Sequence, residues 1–442
     1  MRSLLLLIEM VVLLPVSLVH PFVGVLLWDW IGFMNPQQIS WGLASRFPWA
    51  LITFIFTVTG WVCSPTEPKR VTVTPLIVLM VLFIIGITIN MPFALSTPAV
   101  EYDAWLRTTK IFIFLIITAA LLTNKHRIDA LIWIMIISIG YYILDQGGAS
   151  IVTLGGHKAF GPLNSQIYDN NAFAAAVLVL IPLTNYLRLQ ARYPLIRAGF
   201  ALAIGISFLT VLASYSRGAL LGTIAVAFVF WLKSKRKLAS LVALGCTLAA
   251  ILAFMPQKWW DRMYTISRYQ TQGSAENRLY IWRVAWLLAK KHPLTGAGFH
   301  ATRLPSVIYS VVPEGGPVLE IHSIWFQMLG EQGFIVFFIW LGMILFSVYE
   351  TFVVLRLTRN SPDLAWASDL ARMGQISILA YAVTGTFLPL SSWDVFFTIL
   401  VMISATRMVV GRERAAARVA SGQLTWHPAP VVGRFAGAGR AR

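Results

Sequence analysis

The chain has 442 residues, of which 57% are hydrophobic and only 12% are charged, whereas a soluble domain usually carries about 25% charged residues. The apolar residues form long blocks such as LIVLMVLFIIGI, which are longer than the core of a soluble domain needs. Most of the net charge of +17 lies in short segments between these blocks and in the C-terminal tail. This pattern is typical of membrane proteins and disfavours both nucleic-acid binding and a large soluble domain.

The apolar blocks predict eleven membrane spans after residue 47. These spans are 48–64, 74–91, 109–123, 128–145, 171–186, 197–213, 218–232, 238–255, 334–355, 373–390 and 393–407. Strongly basic loops alternate with polar loops between them. Because Lys and Arg in short loops favour the cytoplasm, one assignment places every basic loop inside and the polar loops in the periplasm.

The N-terminal run 3–34 would be about 48 Å long as one helix, which exceeds a hydrocarbon core of about 30 Å. Pro15 and Pro21 interrupt this run, so we expect one crossing and then a short re-entrant or interfacial helix at 21–34. The chain is thus predicted to be an all-α polytopic inner-membrane protein with about twelve spans and both termini cytoplasmic. The predicted parts are an N-terminal bundle (1–255), a periplasmic loop (256–321), C-terminal spans (322–410) and a disordered basic tail (411–442).

The polar residues that could carry chemistry collect on the predicted periplasmic face. The loop 256–321 has eight Lys or Arg residues and four acidic residues. Long periplasmic loops do not follow the positive-inside rule. The basic excess of this loop therefore indicates an anionic ligand.

Two arginines stand out on this face. Arg217 lies in a very short polar segment between two apolar spans, where a guanidinium usually faces a cavity or a partner charge; the alternative is an arginine that contacts lipid headgroups. The segment 275–291 predicts an amphipathic helix with Arg278, Trp282 and Trp286 on one stripe. An interfacial tryptophan belt with a solvated Arg278 is the alternative there.

His322 lies where the loop 256–321 re-enters the membrane. A neutral imidazole at this boundary could accept a proton at physiological pH, although a lone histidine is often structural. The sequence has no Gly-rich phosphate loop, no Asp-x-Asp pair and no His or Cys spacing typical of a metal site. We therefore expect no metal, no nucleotide and no other cofactor.

Several of these residues form an ordered series with the segments HPLTGAG at 292–298 and LGEQG at 329–333. The series, which also includes Ser216-Arg217-Gly218, Arg278 and His322, resembles the O-antigen ligase family, within the larger group of O-antigen polymerases and ligases. The segments HPFVGVLLWDWIGFMNPQ and YDNNAFAAAVLVLIPL resemble its O-glycosylation ligase branch. The chain departs from the pattern at Ser323, where many relatives have asparagine.

The resemblance implies a GT-C-like membrane glycosyltransferase that moves a preassembled polysaccharide from undecaprenyl diphosphate to a sugar hydroxyl of lipid A-core oligosaccharide. The reaction would be metal-independent and inverting. Arg217 and Arg278 would hold the donor diphosphate, and His322 would be the general base, with Asp169 and Glu320 as the first alternatives. Secondary candidates for phosphate or core contacts are Lys158, Arg262, Arg268, Arg283 and Arg303.

Two other interpretations differ in acceptor or in class. An O-antigen polymerase or a protein O-oligosaccharyltransferase would use the same donor class with another acceptor. A transporter of lipid-linked glycans would place charged residues at the middle of several spans and show repeats between its halves. The central spans are nearly free of charge and no repeat is evident, so the sequence disfavours transport.

Overall fold

The computed structural model describes residues 2–69, 71–233, 255–264 and 273–420, together with a few positions between 237 and 253. These residues form helices and connecting loops, with no strand among them. The long helices are α1 (Arg2–Val19), α2 (Pro21–Met34), α3 (Trp49–Cys63), α4 (Pro75–Asn90), α5 (Pro98–Leu121), α6 (Lys125–Val152), α7 (Asn170–Gln190), α8 (Pro194–Ala213), α9 (Arg217–Lys233), α10 (Gln257–Tyr264), α11 (Gly273–Lys291), α12 (Ile324–Thr358), α13 (Ala365–Gly385) and α14 (Asp394–Ala420).

Eight of the described helices are long and apolar enough to cross a membrane. They are α1, α4, α5, α6, α7, α8, α12 and α14. The predicted all-α, multi-pass architecture is therefore confirmed. The predicted span 238–255 lies largely outside the described residues, and the total of about twelve spans remains a prediction.

Polar side chains cap the first turn of several of these helices. The Thr74 hydroxyl accepts a hydrogen bond from Ile77 N, and the Asn124 side chain accepts one from Arg127 N. Asp169 caps α7 by accepting from Asn171 N at 2.9 Å. Each cap satisfies an amide that the helix itself leaves without a partner.

The helices run between two ends of one bundle. The site end is the end at which His322 lies; the basic end carries Lys125 and Arg127, and Arg127 there donates to both carboxylate oxygens of Glu67. Since α5 runs from Pro98 to the turn before Lys125, it leads from the site end to the basic end. The basic loops and the candidate residues thus occupy opposite ends, as the charge pattern predicts.

The N-terminal segment differs from the expected path. Pro15 lies inside α1, and the chain breaks only at His20–Pro21. Trp41 N donates to Ser3 Oγ at 2.8 Å, so α1 begins at the site end. Its other end packs against Gly60 near the basic end. The helices α1 and α2 thus form an antiparallel hairpin because Pro21 ends the first helix, and the expectation of one crossing with Arg2 at the basic end is wrong.

The C-terminal boundary also differs. The last helix continues to Ala420, ten residues past the boundary predicted at 410, because the segment GRERAAARVA has strong helix formers and no glycine or proline after its first position. Arg414 donates to Leu357 O at 2.8 Å and ties this extension to α12. The rest of the predicted tail, from residue 421, lies outside the described residues.

The core is centred on α7. Its apolar residues from Ala172 to Leu183 are buried on all sides, and it packs between α8 and α13. Helix α12 is interrupted at Gly333, whose φ of 74° and ψ of 179° are not helical. The nine residues before Gly333 therefore form a separate helical segment, which packs against α11 at the site end.

Candidate functional site

A tight turn places Arg217 at the first residue of α9. Tyr215 in this turn has a φ of 59°, and the Ser216 hydroxyl accepts a hydrogen bond from Ala219 N at 3.2 Å. Asn170 at the start of α7 donates to Ser214 O at 2.7 Å. The half-buried Arg217 is thus fixed at a helix N-terminus, where the partial positive charge of the helix favours an anion.

Phe387, at the end of α13, joins two of the predicted motifs. The Arg278 guanidinium lies 5.7 Å from the centre of its ring. The Trp282 ring is 6.2 Å from the same centre. A Cβ atom on Gly218, the residue after Arg217, would be 3.3 Å from Phe387 Cδ2. The start of α9 and the Arg278 face of α11 therefore meet at this ring.

Trp282 connects this group to the third motif. Its indole Nε1 donates to His322 O at 3.3 Å, and its ring stacks on Phe326 with centres 5.3 Å apart. The predicted stripe of α11 thus faces α12. We call Arg217, Arg278, Trp282, His322 and Phe387 the Phe387 cluster.

The His322 imidazole is half-buried, and it forms no side-chain hydrogen bond with any residue that the structure describes. Burial lowers its pKa, and the positive charge of Arg278 lowers it further. The carboxylates of Glu320 and Asp169 act against this and raise the pKa. The imidazole is therefore biased towards its neutral form, which a general base requires.

Glu320, two residues before His322, is already engaged. Its Oε1 lies 2.6 Å from Arg303 and 3.4 Å from His300 Nδ1. The hydrogen bond with His300 has the largest effect, and together these contacts lower the pKa of Glu320 to about 2. The same hydrogen bond raises the pKa of His300. A carboxylate of such low basicity is a poor proton acceptor, which favours His322 over Glu320 as the base.

The HPLTGAG and LGEQG segments meet through their backbones. Ala297 N donates to Gly330 O at 2.9 Å. Gly296 and Gly333 both have positive φ, and a Cβ atom on Gly333 would lie 2.8 Å from Pro293 O. We call the backbone contact between segments 293–298 and 330–334, at Gly296 and Gly333, the glycine clamp. It lies beside His300, whose N donates to Glu331 Oε1 at 3.0 Å, and contributes no side chain to the cluster.

The secondary candidates are dispersed. Lys158 is exposed and its amine lies 5.2 Å from the Phe160 ring; Ala159 N, the next residue, donates to Ala213 O just before the turn that carries Arg217. Arg303 pairs with Glu320. Arg283 is exposed on α11 and lines an apolar groove. Arg262 lies in α10, and Arg268 lies outside the described residues.

The groove beside the cluster has a volume of about 710 Å³ and runs between α11 and α12. Apart from Arg283 its lining is apolar: Leu279, Trp282, Trp286, Trp325, Phe326, Leu329, Phe334, Phe337 and Phe338. Because Trp282 belongs to both features, the groove opens directly beside the cluster. Sequence reasoning missed this groove, Phe387 and His300, since each depends on contacts between segments distant in the chain.

No group of three or more His, Cys, Asp or Glu residues is placed to hold a metal ion within the part of the chain that the structure describes. Arg278 and the start of α9, by contrast, meet at Phe387. The arrangement offers cationic and aromatic groups suited to an anion, with a largely neutral imidazole nearby.

These features define the class: a multi-pass helical membrane protein with a cationic and aromatic site at one end of its bundle. Residues 198–341 match the O-antigen ligase family, and this region contains Arg217, Arg278 and His322. For the part of the chain that it covers, this match supports an assignment to the O-antigen ligase family, as the motif series predicts. Residues 1–192 match a family of unknown function (DUF5935). No curated protein matches the chain. The match supports an enzyme with O-antigen ligase or polymerase-type activity.

Proposed function

We propose that the protein is an O-antigen ligase of the bacterial inner membrane. It transfers a preassembled polysaccharide from undecaprenyl diphosphate to a sugar hydroxyl of lipid A-core oligosaccharide, at a site that faces the periplasm. One observation carries the proposal: Arg278, Trp282 and the start of α9 meet at Phe387. Trp282 also donates a hydrogen bond to the His322 backbone carbonyl, which places His322 beside this group.

The arginines act on the leaving group. Attack at the anomeric carbon breaks its bond to the diphosphate oxygen, so negative charge grows on the departing diphosphate. Arg217 and Arg278 offer planar, multiple N–H donors that match phosphate oxygens, and the N-terminus of α9 adds its own amides. Donors fixed before the reaction stabilise charge that develops in the transition state, without metal.

His322 acts on the acceptor. Its neutral imidazole takes the proton of the attacking hydroxyl as the new glycosidic bond forms, and attack from the face opposite the diphosphate inverts the anomeric centre. The depressed pKa of His322 keeps it unprotonated near neutral pH.

The apolar groove between α11 and α12 suits the polyprenyl chain of the donor. Its wall is almost entirely aromatic and aliphatic, and close packing of the chain against such a wall gains dispersion contacts. With the tail in the groove, the diphosphate lies at Trp282, beside Arg278. The polysaccharide then extends away from the membrane.

The test is reconstitution of purified full-length protein in nanodiscs with lipid-linked polysaccharide and lipid A-core, without nucleotide and with EDTA. We expect polysaccharide-modified lipid A-core. Transfer only onto a second lipid-linked glycan would make the protein a polymerase, and transfer only onto a peptide hydroxyl would make it a protein O-oligosaccharyltransferase. Loss of activity in EDTA that magnesium or manganese restores would show that a metal, and not the arginine pair, stabilises the departing diphosphate.

The orientation is tested separately by single-cysteine labelling in intact cells. Position 268 should react with an impermeant reagent, whereas position 235 should not. Both positions lie outside the described residues, so the assignment depends on the charge pattern. The opposite labelling result would place the cluster in the cytoplasm and overturn the proposal.

A further inference from the structure

A second cavity lies at the site end of the bundle, beside the first turns of α5. It has a volume of about 490 Å³ and is enclosed by α2, α5, the loop before α7 and the start of α14. The lining residues that matter are Arg107, Lys110, Asp103, Asn164, Gln166 and Asp394. Neither the motif series nor the proposed chemistry uses any of them.

Arg107 and Lys110 lie one turn apart on α5 with exposed side chains. Neither forms a hydrogen bond or an ion pair with any residue in the described ranges. At 1.5 Å per residue, Lys110 is about 17 Å from the end of α5 at Leu121, which is less than the ~30 Å of a hydrocarbon core. Two cations at this depth are costly unless they face a polar cavity and its ligand.

The acidic groups in the wall, Asp103 and Asp394, form no close ion pair with these cations. Asp394 is close enough to Arg107 for an electrostatic interaction, but no carboxylate oxygen lies within 4.0 Å of either cation among the described residues. The donors of both side chains therefore remain available to a bound anion. Asp103, Asn164 and Gln166 offer acceptors and donors suited to sugar hydroxyls.

The cavity adjoins the Phe387 cluster through two shared segments. Residues 164–167 line the cavity, and Asp169, two positions later, acts electrostatically on His322. The segment between α13 and α14 contains Phe387, and its last residue, Trp393, lies in the cavity wall together with Asp394 at the start of α14. The cavity and the cluster are thus connected by two short stretches of chain.

We propose that this cavity binds the phosphate-bearing saccharide headgroup of the lipid-anchored acceptor. The identity of the lipid rests on the proposed function; the phosphate chemistry rests on Arg107 and Lys110. Transfer between two lipid-anchored substrates needs two sites side by side at one end of the bundle. The cluster takes the donor diphosphate, and the cavity presents the second headgroup at the same end of the bundle.

The test is equilibrium binding to the full-length protein in nanodiscs, which needs no turnover. The probes are lipid A-core, the same molecule without its phosphates, and phosphatidylglycerol. The variants are Arg107→Gln with Lys110→Gln, each single change, and the matched control Arg46→Gln, an exposed arginine that does not line the cavity.

We expect the double variant to bind lipid A-core about tenfold or more weakly, because charge-assisted hydrogen bonds to phosphate are strong. Binding of the dephosphorylated molecule should be weak in both proteins and unchanged by the substitutions. In turnover, KM for the acceptor should rise, whereas kcat and KM for the donor should not change. Arg46→Gln should behave as the parent protein.

The proposal is overturned if the double substitution weakens binding of both forms of lipid A-core by the same factor, or if it weakens binding of neither. Phosphatidylglycerol that binds as tightly as lipid A-core and is lost in the double variant would assign the cavity to bulk lipid. If the double variant melts at a lower temperature than the parent protein, the single variants Arg107→Gln and Lys110→Gln are compared with the parent instead, and the same binding results support or overturn the proposal. If the protein binds phosphorylated lipid A-core selectively but transfers no polysaccharide, the proposed function is contradicted and the phosphate site in the cavity stands. If it transfers polysaccharide but does not distinguish the two forms of lipid A-core, the proposed function stands and the phosphate site is contradicted.

Discussion

The Phe387 cluster and the glycine clamp are built in opposite ways, although the same motif series contains both. The cluster brings together cationic and aromatic side chains from α9, α11, α13 and the start of α12. The clamp joins two backbones at Gly296 and Gly333, where no side chain fits. A motif can therefore mark either chemistry or close packing, and only the contacts distinguish the two.

The sharpest test of the cluster is His322→Ala. Removal of a general base typically lowers the rate about 10²–10⁴-fold, so ligation by the purified protein should nearly cease. Binding of the lipid-linked donor should persist, because the arginines hold the diphosphate. If the variant instead loses donor binding, while the acceptor attacks normally any donor that does bind, His322 is a phosphate ligand. Asp169 would then be the next carboxylate to test as the general base.

Arg217→Lys and Arg278→Lys keep the charge and remove the planar fork of donors. Each should lower kcat about 10²–10³-fold, as removal of one donor to a developing charge does in other enzymes. Steady-state kinetics with lipid-linked donor measures this loss. Near-normal turnover in both variants would reduce these arginines to contacts with lipid headgroups.

The clamp should respond in stability, not in chemistry. Gly333→Ala forces a side chain into a backbone conformation that is almost restricted to glycine, which costs about 1–3 kcal/mol, and its Cβ atom would meet Pro293 O at 2.8 Å. A lower melting temperature in detergent is expected. Gly205→Ala is the matched control, since no atom lies within 4 Å of its added Cβ and alanine favours the helix. Equal melting temperatures for Gly333→Ala and Gly205→Ala would contradict the stabilising role of the glycine clamp.

The smallest effect concerns pH. Because His322 must be neutral, kcat/KM should fall as the pH drops through its depressed pKa. Glu320 raises that pKa, so Glu320→Gln should lower it further and move the acid limb of the profile to lower pH. A loss of about 10²-fold or more at every pH would instead identify Glu320 as the base.

The sequence by itself determined the membrane architecture, because length and apolarity of a span follow directly from the thickness of the bilayer. It also placed the basic loops and the candidate residues at opposite ends, since charge is costly in hydrocarbon wherever the chain folds. Arg217, Arg278 and His322 could be selected for the same reason. Arg217 and His322 are ionisable residues at the edge of an apolar span, and Arg278 lies on the stripe of an amphipathic helix in the predicted periplasmic loop.

Tertiary structure decided what these residues touch. Phe387 meets Arg278 and Gly218, which lie more than a hundred residues earlier in the chain, and no local pattern reports such a contact. The direction of α1 depended on packing against α2 and α3, not on the charge of Arg2. The cavity at Arg107 and Lys110 likewise forms only where α2, α5 and α14 meet, because a cavity is a property of the space between elements and not of any one of them.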